Sequence, residues 1–158
     1  MLLNGILFNS EAWHGVTNAH IVKLEKVDEA LLREILQAHS KTPTEFLYLE
    51  TGTLPLRWII AQRRINYMKH ILNMHDGELI KKVFLAQKDQ PTSGDFVELV
   101  LKDLKNIGIT YEEAIANQLT KSKLKDLAKI AAFKDLEHSK VRNIKYDDFV
   151  VQPYLTSE

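Results

Sequence analysis

The sequence predicts an all-α fold, an irregular bundle of six or seven helices around a central helix near residues 55–74, and three observations lead there. Apolar residues recur every three or four positions in one segment after another, as they do on the buried stripe of a helix. The junctions carry helix punctuation: Thr42-Pro43-Thr44-Glu45, Gly77, Pro91-Thr92-Ser93-Gly94, Gly108, and Thr110 with Glu113. Finally, Leu54 to Met74 reads as one uninterrupted helix that is apolar over most of its circumference. A short N-terminal extended segment and an extended C-terminal arm flank the bundle. The domain reading is a single unit, with 1–17 as the N-terminal extended or loop segment, 18–137 as the helical core and 138–158 as an irregular tail.

Leu2 to Phe8 is too short and too interrupted by Gly5 to assign. After Ser10-Glu11-Ala12-Trp13 and the loop-like His14 to Asn18, Thr17 or Asn18 caps a helix over Ala19 to Ala38. Its predicted buried stripe is Ile21, Leu24, Val27, Leu31 and Ile35, widened by Val22, Leu32 and Leu36. The carboxylates Glu25, Asp28 and Glu29, beside Arg33, are expected on its solvated face. Thr42, Pro43 and Glu45 form a capping-box pattern for a two-turn linker helix that Gly52 ends.

Pro55 suits the first turn of the central helix, where a missing N–H costs nothing, and Gly77 lies just past its end. Leu56, Ile60, Tyr67, Ile71 and Met74 make one stripe, while Trp58, Ile65, Met68 and Leu72 make a second, so two sides are expected to be buried. Gln62, Asn66, Lys69 and Asn73 are left for a polar face, flanked by Arg63 and His70. Glu78 to Lys88 is a further helix through Leu79, Val83 and Phe84. Asp95 starts the next, with Phe96, Leu99, Val100, Leu101 and Leu104, and Gly108 stops it. A brief helix runs from Thr110 to about Gln118. The last starts at Thr120 or Lys121 and passes through Leu124, Leu127, Ala128, Ile130, Ala131 and Phe133 to about Glu137.

Composition bounds the function. A chain of 158 residues with 45% apolar content buries roughly two thirds of its unfolded surface and needs no staples. With no cysteine there is no disulfide, no Cys-ligated zinc and no thiol nucleophile, which fits an intracellular protein, nuclear or cytoplasmic. No stretch approaches the ~20 apolar residues of a membrane span. Twenty-one basic and twenty-one acidic residues leave no net charge, so any attraction to a polyanion must be local.

The six histidines show no paired spacing with an adjacent Glu, the serines lie in turns or caps without a Gly-flanked elbow, and no Gly-rich phosphate loop is present. No catalytic residue, metal ligand or cofactor is therefore assigned. Tyr146-Asp147-Asp148 superficially matches the aspartate hairpin of a polymerase palm, but it is one residue short and lacks a distant third carboxylate.

Positive charge clusters in two places. Leu54 to Met74 holds Arg57, Arg63, Arg64 and Lys69 with no acid. Thr120 to Lys145 holds eight basic residues, among them Lys121, Lys125 and Lys129, against three acidic ones, a local excess of five. These seven named residues are the candidate phosphate-contacting set. The competing reading pairs Arg57 or Arg64 with acids such as Glu45 or Glu50 and leaves the lysines on a solvated face. Trp58 and Tyr67, as stripe members, belong to the core in preference to a base-stacking platform.

Leu2-Leu3-Asn4, Ser10-Glu11-Ala12-Trp13, Leu31-Leu32-Arg33 with Ile35-Leu36, Thr42-Pro43 with Glu45, Leu47-Tyr48-Leu49-Glu50-Thr51-Gly52, Pro55-Leu56-Arg57 and Arg63-Arg64, taken in order, resemble the region C-terminal to the palm in reverse transcriptases of non-LTR retrotransposons. The likeness continues through Pro91 to Asp95 and His138 to Val141. It implies thumb and linker helices that track a template–primer duplex through its backbone, with Arg57, Arg63 and Arg64 matching the basic helix. The palm carboxylates of that family lie upstream and are absent, as is its Cys/His knuckle. The expectation is thus a non-catalytic module for an RNA or RNA–DNA backbone, with an upstream palm domain as a further partner and no membrane. The alternative is a structural or protein-docking helical domain, or a retrotransposon-derived remnant, whose arginines are paired internally.

Overall fold

A computed structural model describes residues 7–13, 16–116 and 119–143, side chains being described as far as His138. Among them the chain is all-helical. A 3-10 turn at Ser10–Ala12 precedes α1 (Asn18–Ile35), α2 (Thr44–Thr51), α3 (Leu56–Leu72), α4 (Leu79–Asp89), α5 (Phe96–Ile107), α6 (Tyr111–Ile115) and α7 (Lys121–Asn143). The predicted N-terminal segment before Leu7 and the arm after Asn143, Tyr146-Asp147-Asp148 included, lie outside the described residues.

The long helix α3 occupies the middle, touching the 3-10 turn, α1, α4, α5, α6 and α7. Its sequence dictates this. Leu56, Trp58, Ile60, Ala61, Ile65, Met68 and Ile71 point around most of the circumference and all are buried. A helix apolar on nearly every side is stable only when other elements cover it. Ile65 and Met68 join the main core with Phe84 of α4, Val97, Val100 and Leu104 of α5, and Leu124, Ala128 and Ala132 of α7. Leu56 and Ile60 close over Leu7 in a second cluster, and Leu32, Leu47, Tyr48 and Leu136 form a third between α1, α2 and α7. On α7 the inward row Leu124, Ala128, Ala132 and Leu136 follows i, i+4 spacing, and its two alanines have no exposed surface. Small side chains there let the α7 backbone approach the core closely.

Helix ends follow local chemistry at several junctions. Asp95 caps α5, its carboxylate accepting from Glu98 N at 2.7 Å, and Gly108 ends the helix at φ 80°, a left-handed conformation that suits glycine. Thr110 and Glu113 form the expected capping box on α6. At α2 the expected box is absent: Pro43 takes the cap position without a side-chain hydrogen bond. The tail assignment is also corrected, since α7 runs on to Asn143 and not to about Glu137.

The largest departure concerns α1. Val27 is 57% and Ile35 65% exposed, whereas Glu25 and Asp28 are buried beside Leu32. The predicted core stripe faces outward in part, and the supposedly solvated carboxylates face in. Partners explain the rotation: Arg57 donates to Glu25 from Nε at 2.8 Å and Nη2 at 2.6 Å, and the Tyr48 hydroxyl donates to Asp28 Oδ2 at 3.1 Å. Buried carboxylates persist only where such donors reach them.

Candidate functional site

The seven cations singled out from the sequence divide into three environments. Arg64 projects from the middle of α3 toward α5, where Nε and Nη2 meet Asp103 Oδ2 and Oδ1 at 2.6 and 3.0 Å. Both side chains are under a tenth exposed. The planar fork matches the carboxylate in bidentate fashion, the geometry for which arginine is suited and lysine is not. Burial pushes the Asp103 carboxyl above its usual range, and the Arg64 hydrogen bond and charge pull it back. The pair holds Arg64 against α5 and leaves little of its side chain exposed.

Arg57 sits in the first turn of α3 and holds the buried Glu25 of α1 bidentately. Its side chain is half exposed, but its fork is directed inward, and the Glu25 hydrogen bond is the main reason its pKa is raised. Around this pair lie Glu29, Glu45 and Asp135, with Tyr48 and Thr44, in a cleft of about 340 Å³. That surround is acidic, and Arg57 serves there as a clasp between α1 and α3. The acids expected as partners from the sequence, Glu45 and Glu50, give way to Glu25 and Asp103.

Arg63 and Lys69 occupy the remaining polar face of α3. The Arg63 Nη1 donates to the Leu7 carbonyl and to Ser10 Oγ at 3.4 Å, fastening the N-terminal turn. Lys69 Nζ donates to the Leu119 carbonyl in the connection ahead of α7. Lys121 opens α7, just past Thr120, whose hydroxyl accepts from Lys123 N at 3.2 Å. These three cations share one open groove of about 680 Å³ with Asn66, Tyr67, His70, Asn73, Leu119 and Thr120, and among the described residues a single acid, Glu11, lines it. Lys125 is exposed and Lys129 half-buried further along α7; neither lines the groove.

Thus α3 gathers Arg63 and Lys69 with Lys121, while Arg57 and Arg64 point elsewhere. His70, Asn66 and Asn73 are groove members that no motif marked; their signal was the leftover polar face of a helix otherwise buried. Among the described residues no group of three or more His, Cys, Asp or Glu side chains is arranged to hold a metal ion, and no helix is long and apolar enough to cross a membrane. Comparison with protein-family models, with curated proteins and with solved structures returns no match.

Proposed function

We propose that this chain is a non-catalytic helical module whose role is structural, a framework onto which another polypeptide docks, with its central cations spent inside the fold. The observation that carries this reading is the fate of the α3 cations: Arg57 and Arg64 end on carboxylates of α1 and α5. Arg63 and Lys69 end on backbone carbonyls of neighbouring connections. A helix using its charges in this manner works as a hub that fixes the other elements in place. The likeness to the thumb and linker of non-LTR reverse transcriptases fits such a hub, because a thumb must hold its shape beside a palm supplied by an upstream segment. On this reading that palm is the docking partner. Arg64→Ala lowers the melting temperature strongly, while fluorescence anisotropy with a labelled RNA–DNA hybrid shows no salt-sensitive binding at moderate ionic strength. Salt-dependent hybrid binding at that ionic strength would overturn it.

A second reading is favoured by one specific feature, the groove that joins Arg63, Lys69 and Lys121 with a single acid among the described residues. In it the module grips a nucleic-acid backbone without reading bases, and the relevant cations are those three and not Arg57 or Arg64. Binding to the hybrid would then be micromolar and fall steeply with salt, and Lys121→Glu would weaken it without changing the melting temperature. No binding at low salt removes this reading and leaves the first.

A further inference from the structure

The outward face of α1 is the feature neither reading uses. Val27, Leu31 and Ile35 lie on one side of the helix at spacings of four, and Val27 and Ile35 are more than half exposed. Leu31 is partly exposed on the same side, while Leu24, a turn earlier, packs against the cluster of Leu7, Leu56 and Ile60. The stripe extends over about 12 Å of helix, at a rise of about 1.5 Å per residue. The inward side of α1 is already committed to Glu25, Asp28 and Leu32, so α1 cannot turn this stripe into its own core without breaking the contacts of Glu25 with Arg57 and Asp28 with Tyr48.

We infer that the stripe is a self-association surface, on which α1 of a second copy of this chain packs antiparallel about a two-fold axis near the middle of the helix. Charge complementarity selects that occupant. Lys23 and Glu34 lie along one edge of the stripe, near opposite ends, and neither is in an ion pair among the described residues. In an antiparallel pair the same edge of each helix meets, so Lys23 of one copy comes beside Glu34 of the other, and the contact is made twice by symmetry. The register that does this also sets Val27 against Leu31, within one residue, or about 1.5 Å, of the same alignment. In a parallel arrangement opposite edges of the two helices meet, so Lys23 and Glu34 would face away from each other and neither charge would find its partner. One helix face is small beside the ~1,600 Å² of a standard interface, so the dimer is weak and concentration-dependent.

Sedimentation equilibrium of the intact chain over a range from about 5 to 500 µM is expected to show a reversible monomer–dimer equilibrium. Val27→Lys with Ile35→Lys, both exposed and harmless to the core, abolishes it while circular dichroism stays unchanged. Lys23→Glu weakens dimerisation by about tenfold, since two pairs become repulsive. Lys23→Glu combined with Glu34→Lys restores it. A monomer at every concentration overturns the inference, including the case in which this face serves a different polypeptide. So does a dimer that the charge swap fails to rescue.

Discussion

Replacing Arg64 with alanine removes one half of an ion pair that is enclosed on both sides. Asp103 accepts two hydrogen bonds from Arg64, at 2.6 and 3.0 Å, and is buried against the α5–α3 contact. Taking away the guanidinium leaves the carboxylate without its counter-charge, and breaking a buried pair in this manner costs about 3–5 kcal/mol. For a domain of this size each kcal/mol moves the melting temperature by about 2–4 °C, so the expected drop is about 6–20 °C. Against a total stability of about 5–15 kcal/mol that is a severe loss. The loss also depends on pH. Burial already holds the Asp103 carboxyl above 3.8, and Arg64 is the main group lowering it. Without Arg64 the folded-state pKa climbs further above the unfolded one. A carboxyl of that kind carries no penalty below its unfolded pKa, and the penalty grows as pH rises toward and past the folded value. The deficit of Arg64→Ala, read by urea denaturation, is therefore smaller at pH 5 than at pH 8. Arg64→Met combined with Asp103→Leu recovers most of the stability, because an apolar pair of similar volume carries no desolvation cost. A loss under about 1 kcal/mol, or one equal at both pH values, refutes the enclosure of the pair.

Three further outcomes follow from the same contacts. Asp28→Asn should raise the melting temperature at pH 7, and the gap should close as pH falls toward 4. Burial, with Glu25 beside it, holds the Asp28 carboxyl above its ordinary value despite the Tyr48 hydrogen bond, so its ionised form weakens the fold at neutral pH. Lys69→Met removes the donor to the Leu119 carbonyl and is expected to cost about 1 kcal/mol, with faster amide hydrogen exchange confined to the connection before α7. Ala128→Leu pushes three extra carbons into a position with no exposed surface and should destabilise by about 1–3 kcal/mol, whereas Ile130→Ala on the exposed side of α7 should be nearly neutral in thermal melts.

The helical bundle was legible because the strongest signals in the chain are local. The circumference of α3, the Thr110 capping box and the Gly108 stop each arise from neighbours in sequence, and the structure places all three where periodicity and cap chemistry put them. The rotation of α1 was not legible, since an apolar stripe at Val27 and Ile35 competes with carboxylates at Glu25 and Asp28, and the winner depends on Arg57 and Tyr48, distant in the chain. One trace did exist. Asp103 falls among Val97, Val100, Leu104 and Ile107 on the buried side of α5, and a lone acid on an apolar stripe calls for a cation opposite it. Arg64 sits among Ile60, Ala61, Ile65 and Met68 in the same way. The mutual placing of two such misfits is a non-local signal that a count of charges along the chain passes over. The groove was half legible: the polar face of α3 was evident, but the approach of Lys121 depends on the path between α6 and α7.

Arginine-selective dicarbonyl labelling of the native protein, followed by peptide mass spectrometry, tests most directly whether the central helix keeps its charges inside. Arg64 should stay unmodified until the chain is unfolded, and Arg57 should react more slowly than in the unfolded chain. Rapid modification of Arg64 in the folded protein would contradict the account.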